Sequence, residues 1–192
     1  LRVHTAYSLS EGAIQVEDAV RLAKENKMPA LAITDRGHLF GALEFSFEAA
    51  KKGVQPIIGC ELGLARPDDG EPSQRKPEPD RIVLLAQSES GYRNLMVLSS
   101  AAFLDTEPPE TPHVSWDKLA QHADGLIALT AATQGTVGRL LLEGHTDKAR
   151  DALTKLAAIF PGRVYVELQR HGLETEERIE GGLINLAYAL NL

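Results

Sequence analysis

The chain has 192 residues, 43% of them hydrophobic and 24% charged, enough for one compact domain that buries roughly 70% of its unfolded surface. A net charge of -7 and a pI of about 5.4 mean that the chain as a whole would repel a phosphate backbone, which argues against a stand-alone nucleic-acid binder. A single cysteine, Cys60, excludes an internal disulfide framework, and no apolar run approaches the ~20 residues of a membrane span, so a reducing, cytoplasmic setting is expected.

Short apolar runs alternate with amphipathic stretches, the pattern of βα units around a largely parallel sheet. Strands are expected over 1–4, 30–34, 56–64, 81–86, 125–129 and 163–168, and helices over 16–26, 41–52, 90–104, 115–122, 136–143, 147–160 and 174–190. In the first helix Val16, Ala19, Val20 and Ala23 recur at helical spacing and give it one apolar face. Gly53 is expected to stop the second helix, and Thr146 to cap the start of the sixth. Cys60, beside Ile57 and Ile58, is expected as a buried thiol, and Trp116, with Leu119 at helical spacing, as a core residue rather than a contact anchor. Residues 66–80 are rich in Pro, Asp, Glu, Lys and Gly without apolar periodicity, and are expected to form a mobile surface loop. A second loop is expected over 105–113, which holds Pro108, Pro109 and Pro112. There is no internal repeat and no domain linker, so residues 1–192 read as one domain. A last helix finishing in Leu190-Asn191-Leu192 would ordinarily be followed by another strand, so the chain reads as a fragment of something longer.

In parallel βα architectures functional side chains gather at the carboxyl ends of the strands, where loops converge on a rigid frame. His4, Asp35, Arg36, Glu61 and His171 fall at or near such ends, and Glu11 adds a carboxylate in the first loop. Imidazoles and carboxylates together can hold a cation and lower the pKa of a bound water. Spacing alone leaves open the plainer reading that each histidine is a capped or exposed loop residue. Three positions argue against a full metal cluster: Arg2, Arg36 and Arg81 are permanently charged and cannot ligate a cation.

The segments Leu1-Arg2-Val3-His4-Thr5-Ala6-Tyr7-Ser8, Ile33-Thr34-Asp35-Arg36-Gly37-His38 and Pro56-Ile57-Ile58-Gly59-Cys60-Glu61 closely resemble the PHP (polymerase and histidinol phosphatase) domain family. The match continues in order through Leu84-Leu85-Ala86, Gly91-Tyr92-Arg93-Asn94-Leu95, Gly125-Leu126-Ile127-Ala128-Leu129 and Tyr165-Val166-Glu167-Leu168-Gln169-Arg170-His171-Gly172. The segment 91–95 resembles the branch that opens bacterial replicative DNA polymerase III alpha subunits rather than small phosphatases.

The resemblance implies a distorted (β/α)7 TIM-like barrel, with its last strand beyond residue 192, whose active members bind divalent metals and hydrolyse phosphoesters. Residue by residue, the ligand-bearing positions of the family fall on Arg2, His4, Glu11, Arg36, Glu61, Arg81 and His171. Three of these are arginine, so His4, Glu11, Glu61 and His171 are what remains of the ligand set, and His38 is a displaced candidate. Glu11 and Glu61 buried together would repel, and guanidinium groups beside them would relieve the repulsion with bidentate geometry. The expectation is therefore a salt-bridged, catalytically silent site without metal. Alternatives are a surviving zinc, manganese or magnesium cluster with 3'-5' exonuclease or phosphoesterase activity, an anion site on the arginines, or a free-standing phosphatase. The resemblance further implies a structural and docking role toward the other domains of a polymerase alpha subunit and a proofreading exonuclease (epsilon) subunit. DNA would be reached only through the full-length polymerase, whose nucleotidyl-transfer carboxylates have no counterpart here.

Overall fold

The computed structural model describes residues 1–66 and 77–192, so most of the expected loop 66–80 lies outside the described residues. In chain order the elements are α1 (Val16–Glu25), β1 (Ala30–Ile33), α2 (Ala42–Lys52), β2 (Gln55–Leu64), β3 (Asp80–Ala86), α3 (Glu89–Leu104), α4 (Trp116–Gln121) and β4 (Leu126–Leu129). A 3-10 turn (Ala132–Gln134), α5 (Thr136–Leu142), α6 (Thr146–Ile159), β5 (Val164–Tyr165) and α7 (Glu174–Leu190) complete them. Every expected helix is present. α1 buries Val16, Ala19, Val20 and Ala23, and α2 stops at Gly53, whose φ of 72° costs a residue without a Cβ nothing. The cap of α6 differs from expectation: Thr146 is already helical and His145 precedes it. The turn at Gly144 directs the His145 N–H to Leu140 O at 2.8 Å, and that bond fixes His145 as the last non-helical residue.

The sheet runs β1-β2-β3-β4-β5 in space as in sequence. β1 with β2 and β4 with β5 are parallel, whereas β3 is antiparallel to both its neighbours. The expectation of a largely parallel sheet is thereby corrected: among the described residues the sheet is mixed, five-stranded and open. An antiparallel partner needs no crossover helix, and the sequence between Leu64 and Asp80 carries no helical periodicity to supply one. Residues 1–4 are not a strand; the Thr34 N–H donates to Val3 O at 2.8 Å, and the chain then turns away, with the Ser8 N–H on Thr5 O. β5 is shorter than expected because β4 leaves the ladder at Ala131 (φ 57°), where the Glu167 N–H takes the Thr130 hydroxyl in place of a backbone carbonyl.

The period of two divides the strands cleanly between two faces. Cys60, Leu62, Leu64, Ile82, Leu84, Leu126 and Ala128 point into the main core, which the apolar faces of α3 to α7 cover. The alternate residues Ala32, Val83, Leu85 and Leu129 form a smaller cluster with Ala131 on the other face. α1 and α2 close a third cluster around Ile33, Phe45 and Val54. Cys60 is fully buried, and burial pushes its thiol well above the ordinary range. Trp116 is buried as expected, with its indole N–H donating to Ala65 O at 3.0 Å.

The segment Gly91 to Leu95 has a structural reason. A Cβ on Gly91 would stand 1.8 Å from Gly125 O, so only glycine lets α3 approach the turn before β4 this closely. The Ser88 hydroxyl caps the helix by accepting the Gly91 N–H, and Asn94 Nδ2 donates to Asp124 O at 2.9 Å. Among the described residues no helix is long and apolar enough to cross a membrane.

Candidate functional site

Reversal of β3 brings its amino end beside the carboxyl end of β2. Arg81 stands opposite Gly63 in the ladder, two residues from the Glu61–Val83 pair, and Arg36 extends the β1–β2 pairing by a bridge to Glu61. Arg2 and His4 enter from the extended amino-terminal segment, and Glu11 from the loop between it and α1. The end of the sheet where β2 finishes and β3 starts thus collects three guanidinium groups, one imidazole and two carboxylates.

Glu61 is 1% exposed. Its Oε2 is contacted by Arg2 Nη2, and its Oε1 lies 2.6 Å from Arg81 Nη1. Glu11 Oε1 is contacted by Arg36 Nη1 and lies 3.5 Å from Arg81 Nη2, so Arg81 bridges the two carboxylates. His4 lies between the same pair, with Nδ1 3.4 Å from Glu11 Oε2 and Nε2 3.4 Å from Glu61 Oε2. Burial of Glu61 works to raise its pKa. His4, Arg2 and Arg81 outweigh that cost and bring it to about 2. His4 Nε2 is buried without a well-aligned hydrogen bond, so the two guanidiniums are the partners that satisfy the carboxylate.

A buried aspartate holds the loop that carries these groups. Asp35, 2% exposed, accepts hydrogen bonds from the Thr5 N–H at 2.7 Å, the Thr5 hydroxyl at 2.8 Å and the Ser8 hydroxyl at 2.6 Å. Ser8 Oγ in turn accepts the Arg36 N–H at 3.1 Å. Asp35 is a positioning residue, tying residues 5–8 to the end of β1.

His4, Glu11 and Glu61 offer ligand atoms within 4.8 Å of one another. His171 is not brought to them: its Nδ1 lies 2.7 Å from Glu176 Oε1 and its N–H donates to Glu176 Oε2, closing the start of α7 and lowering the Glu176 pKa. His38 stacks on Phe40 with ring centroids 4.3 Å apart, on the wall of a neighbouring cleft of about 600 Å³. Two contributors escape the sequence reading. Gln134 Oε1 accepts from Arg2 Nη2 at 2.8 Å, and Glu167 Oε2 lies 3.4 Å from Arg2 Nη1. Glu167 sits two residues past β5, at a strand end that strand-end logic does flag; Gln134 carries no comparable signal.

The PHP domain family profile matches residues 1–171. The chain is 48% identical over 188 residues to the DNA polymerase III subunit alpha of Caulobacter vibrioides, covering 98% of this chain and 16% of that protein. With the DNA polymerase III subunit alpha of Treponema pallidum it shares 40% over 195 residues, covering 100% of this chain and 17% of that one. The chain therefore spans about a sixth of the length of the curated relatives it matches. Among solved structures it is similar to an amidohydrolase from Chromobacterium violaceum with bound sulfate and no metal (TM-score 0.58, 14% identity, 100% of this chain and 83% of that one). A second is a protein from Bifidobacterium adolescentis (TM-score 0.54, 14% identity, the same coverage). These two likenesses show an α/β fold in common. On the match over residues 1–171, this chain belongs to the PHP domain family.

Proposed function

We propose that this chain is the PHP unit of a DNA polymerase III alpha subunit, acting in the cytoplasm as a non-catalytic brace and docking module in which guanidinium groups stand in for a metal cluster. The relatives support the first part, since the similarity to alpha subunits extends over nearly the whole chain. We read the open sheet as part of a distorted (β/α)7 barrel: the main core, with α3 to α7, lies on one face of the strands, and Glu61 and Arg81 share the other with the small cluster of Val83 and Leu85. The partners in this reading are the other domains of the alpha subunit and a proofreading exonuclease (epsilon) subunit, and DNA is reached only through the full-length polymerase.

One observation carries the silent-site reading: both carboxylates that a metal would need are already engaged by arginine, Glu61 by Arg2 and Arg81, and Glu11 by Arg36 and Arg81. A zinc, manganese or magnesium ion among His4, Glu11 and Glu61 would have to displace these contacts and sit beside three fixed positive charges. The residues present do not fit such a cluster. The competing reading, a metal-dependent 3'-5' exonuclease, draws on the proximity of His4, Glu11 and Glu61. Incubation with a labelled single-stranded oligonucleotide and manganese or zinc separates the two. The expected result is no product above a protein-free control; turnover abolished by His4→Ala would overturn the proposal.

A further inference from the structure

Two of the chain's five phenylalanines, Phe45 and Phe160, are fully buried, while Phe40, Phe47 and Phe103 are 72%, 69% and 54% exposed. The exposed three are not scattered. Phe40, Leu43, Glu44 and Phe47 recur at i, i+3, i+4 and i+7, so α2 and the turn before it present them along one face, with Leu43 also 70% exposed. The opposite face of α2 buries Phe45 and Ala49, which anchors the helix; on the outer face Phe40 stacks on His38 and Glu44 bonds Tyr7, while Leu43 and Phe47 stay 70% and 69% exposed. From α3 the Phe103 ring reaches the same turn; a Cβ on Gly37 would meet its Cζ at 3.4 Å. Exposed apolar residues need no explanation singly, whereas a contiguous band marks a contact surface.

At the amino end of this band the cleft of about 600 Å³ is walled by Tyr7, Glu11, Arg36, His38, Phe40 and Glu44. Arg36 is already engaged by Glu11, and Glu44 accepts the Tyr7 hydroxyl at 2.8 Å, which raises the tyrosine pKa. Glu11 is held by Arg36 and Arg81, so Glu44, which has no cationic partner among the described residues, leaves the wall negative in a chain of net charge -7 and selects a cation. Phe40 adds an aromatic face to it. A phosphate or an anionic lipid surface would be repelled, and a second copy of the chain would bring like charges together.

We infer that this face docks a partner polypeptide through an arginine or lysine flanked by bulky apolar side chains. The cation enters the cleft between Glu44 and the Phe40 ring, and its neighbours cover Leu43 and Phe47. This deepens the docking reading and rests on it, but the two fail differently: metal-dependent turnover sinks the silent brace, whereas loss of charge-selective peptide binding sinks only this surface.

The probe is a fluorescein-labelled hexapeptide, Gly-Leu-Arg-Leu-Phe-Gly, and its counterpart with glutamate for arginine, titrated against the chain by anisotropy. The arginine peptide is expected to bind at least about tenfold more tightly, and Phe47→Ser and Glu44→Gln each to weaken it about fivefold or more. Glu44→Gln keeps an acceptor for Tyr7, so it tests charge in a chain whose packing is unchanged, and amide shifts on binding should concentrate at residues 36–47. Equal binding of the two peptides, absence of binding, or shifts elsewhere would overturn the inference. So would a concentration-dependent dimer abolished by Phe47→Ser, which would give the face to a second copy.

Discussion

Arg81 sits diagonally across the β2–β3 pair from Glu61. The ladder sets Val83 opposite Glu61 and Arg81 opposite Gly63, and Arg81 Nη1 closes to 2.6 Å from Glu61 Oε1. Residues two apart on a strand share a face, so the diagonal places guanidinium and carboxylate together where β2 ends and β3 begins. Had β3 run parallel to β2, residue 81 would open its strand at the far end. The reversal of one strand is what gives the cluster its third arginine.

Glu61 makes the stability of the fold depend on acid. Its carboxyl titrates at about 2 in the fold against an ordinary 4.5, so the folded state favours the ionised form. The unfolded chain therefore binds more protons between those values, and stability is fully present above pH 4.5 and lost as pH falls toward 2. The difference corresponds to about 3 kcal/mol. Glu61→Gln should erase this part of the acid limb and, by leaving Arg2 and Arg81 without their counter-charge, destabilise the chain at neutral pH by about 3 kcal/mol. Urea unfolding between pH 2 and 7 measures both; an unchanged acid limb in the variant would contradict the assignment.

Asp35 should matter more than its distance from any chemistry implies. It accepts three hydrogen bonds at 2 % exposure, and an asparagine there offers one acceptor atom where the carboxylate offers two. Asp35→Asn is expected to cost about 2 kcal/mol and to speed amide exchange at Thr5 and Ser8. Wild-type exchange rates at those amides would show that the loop is held by something else.

Gly91→Ala tests the junction between α3 and β4. The added methyl would meet the backbone oxygen of Gly125, which cannot swing aside as a flexible side chain would. A loss of about 3 kcal/mol, read as a lower denaturation midpoint, is expected. A change under about 0.5 kcal/mol, the range of ordinary surface substitutions, would mean that the approach is looser than the backbone geometry implies.

Much of this architecture is legible in the sequence because helical periodicity is local. Val16, Ala19, Val20 and Ala23 announce α1, and Gly53 announces the end of α2. Strand direction is not local. The stretch from 66 to 80 lacks helical periodicity and so argues against a parallel crossover from β2 to β3, yet α3 and α4 before β4 hide the second reversal. The residues of the charge cluster are recognisable through the PHP motifs, whereas Gln134 reaches Arg2 only because β4 turns back at Ala131. His171 lies at a strand end in sequence, but Glu176, five residues on, takes both its ring nitrogen and its N–H, a local capping interaction that strand-end logic does not weigh.

The central claim, that guanidinium charge occupies the place of a metal cluster, predicts two opposite calorimetric results. Titration of manganese into the wild-type chain should give no saturable binding, because Glu11 and Glu61 are already engaged by arginine. The combined Arg2→His, Arg36→His and Arg81→His variant should bind manganese with defined stoichiometry, since the carboxylates are freed and three neutral imidazoles are supplied. Stoichiometric binding by the wild-type chain that His4→Ala abolishes would contradict the claim.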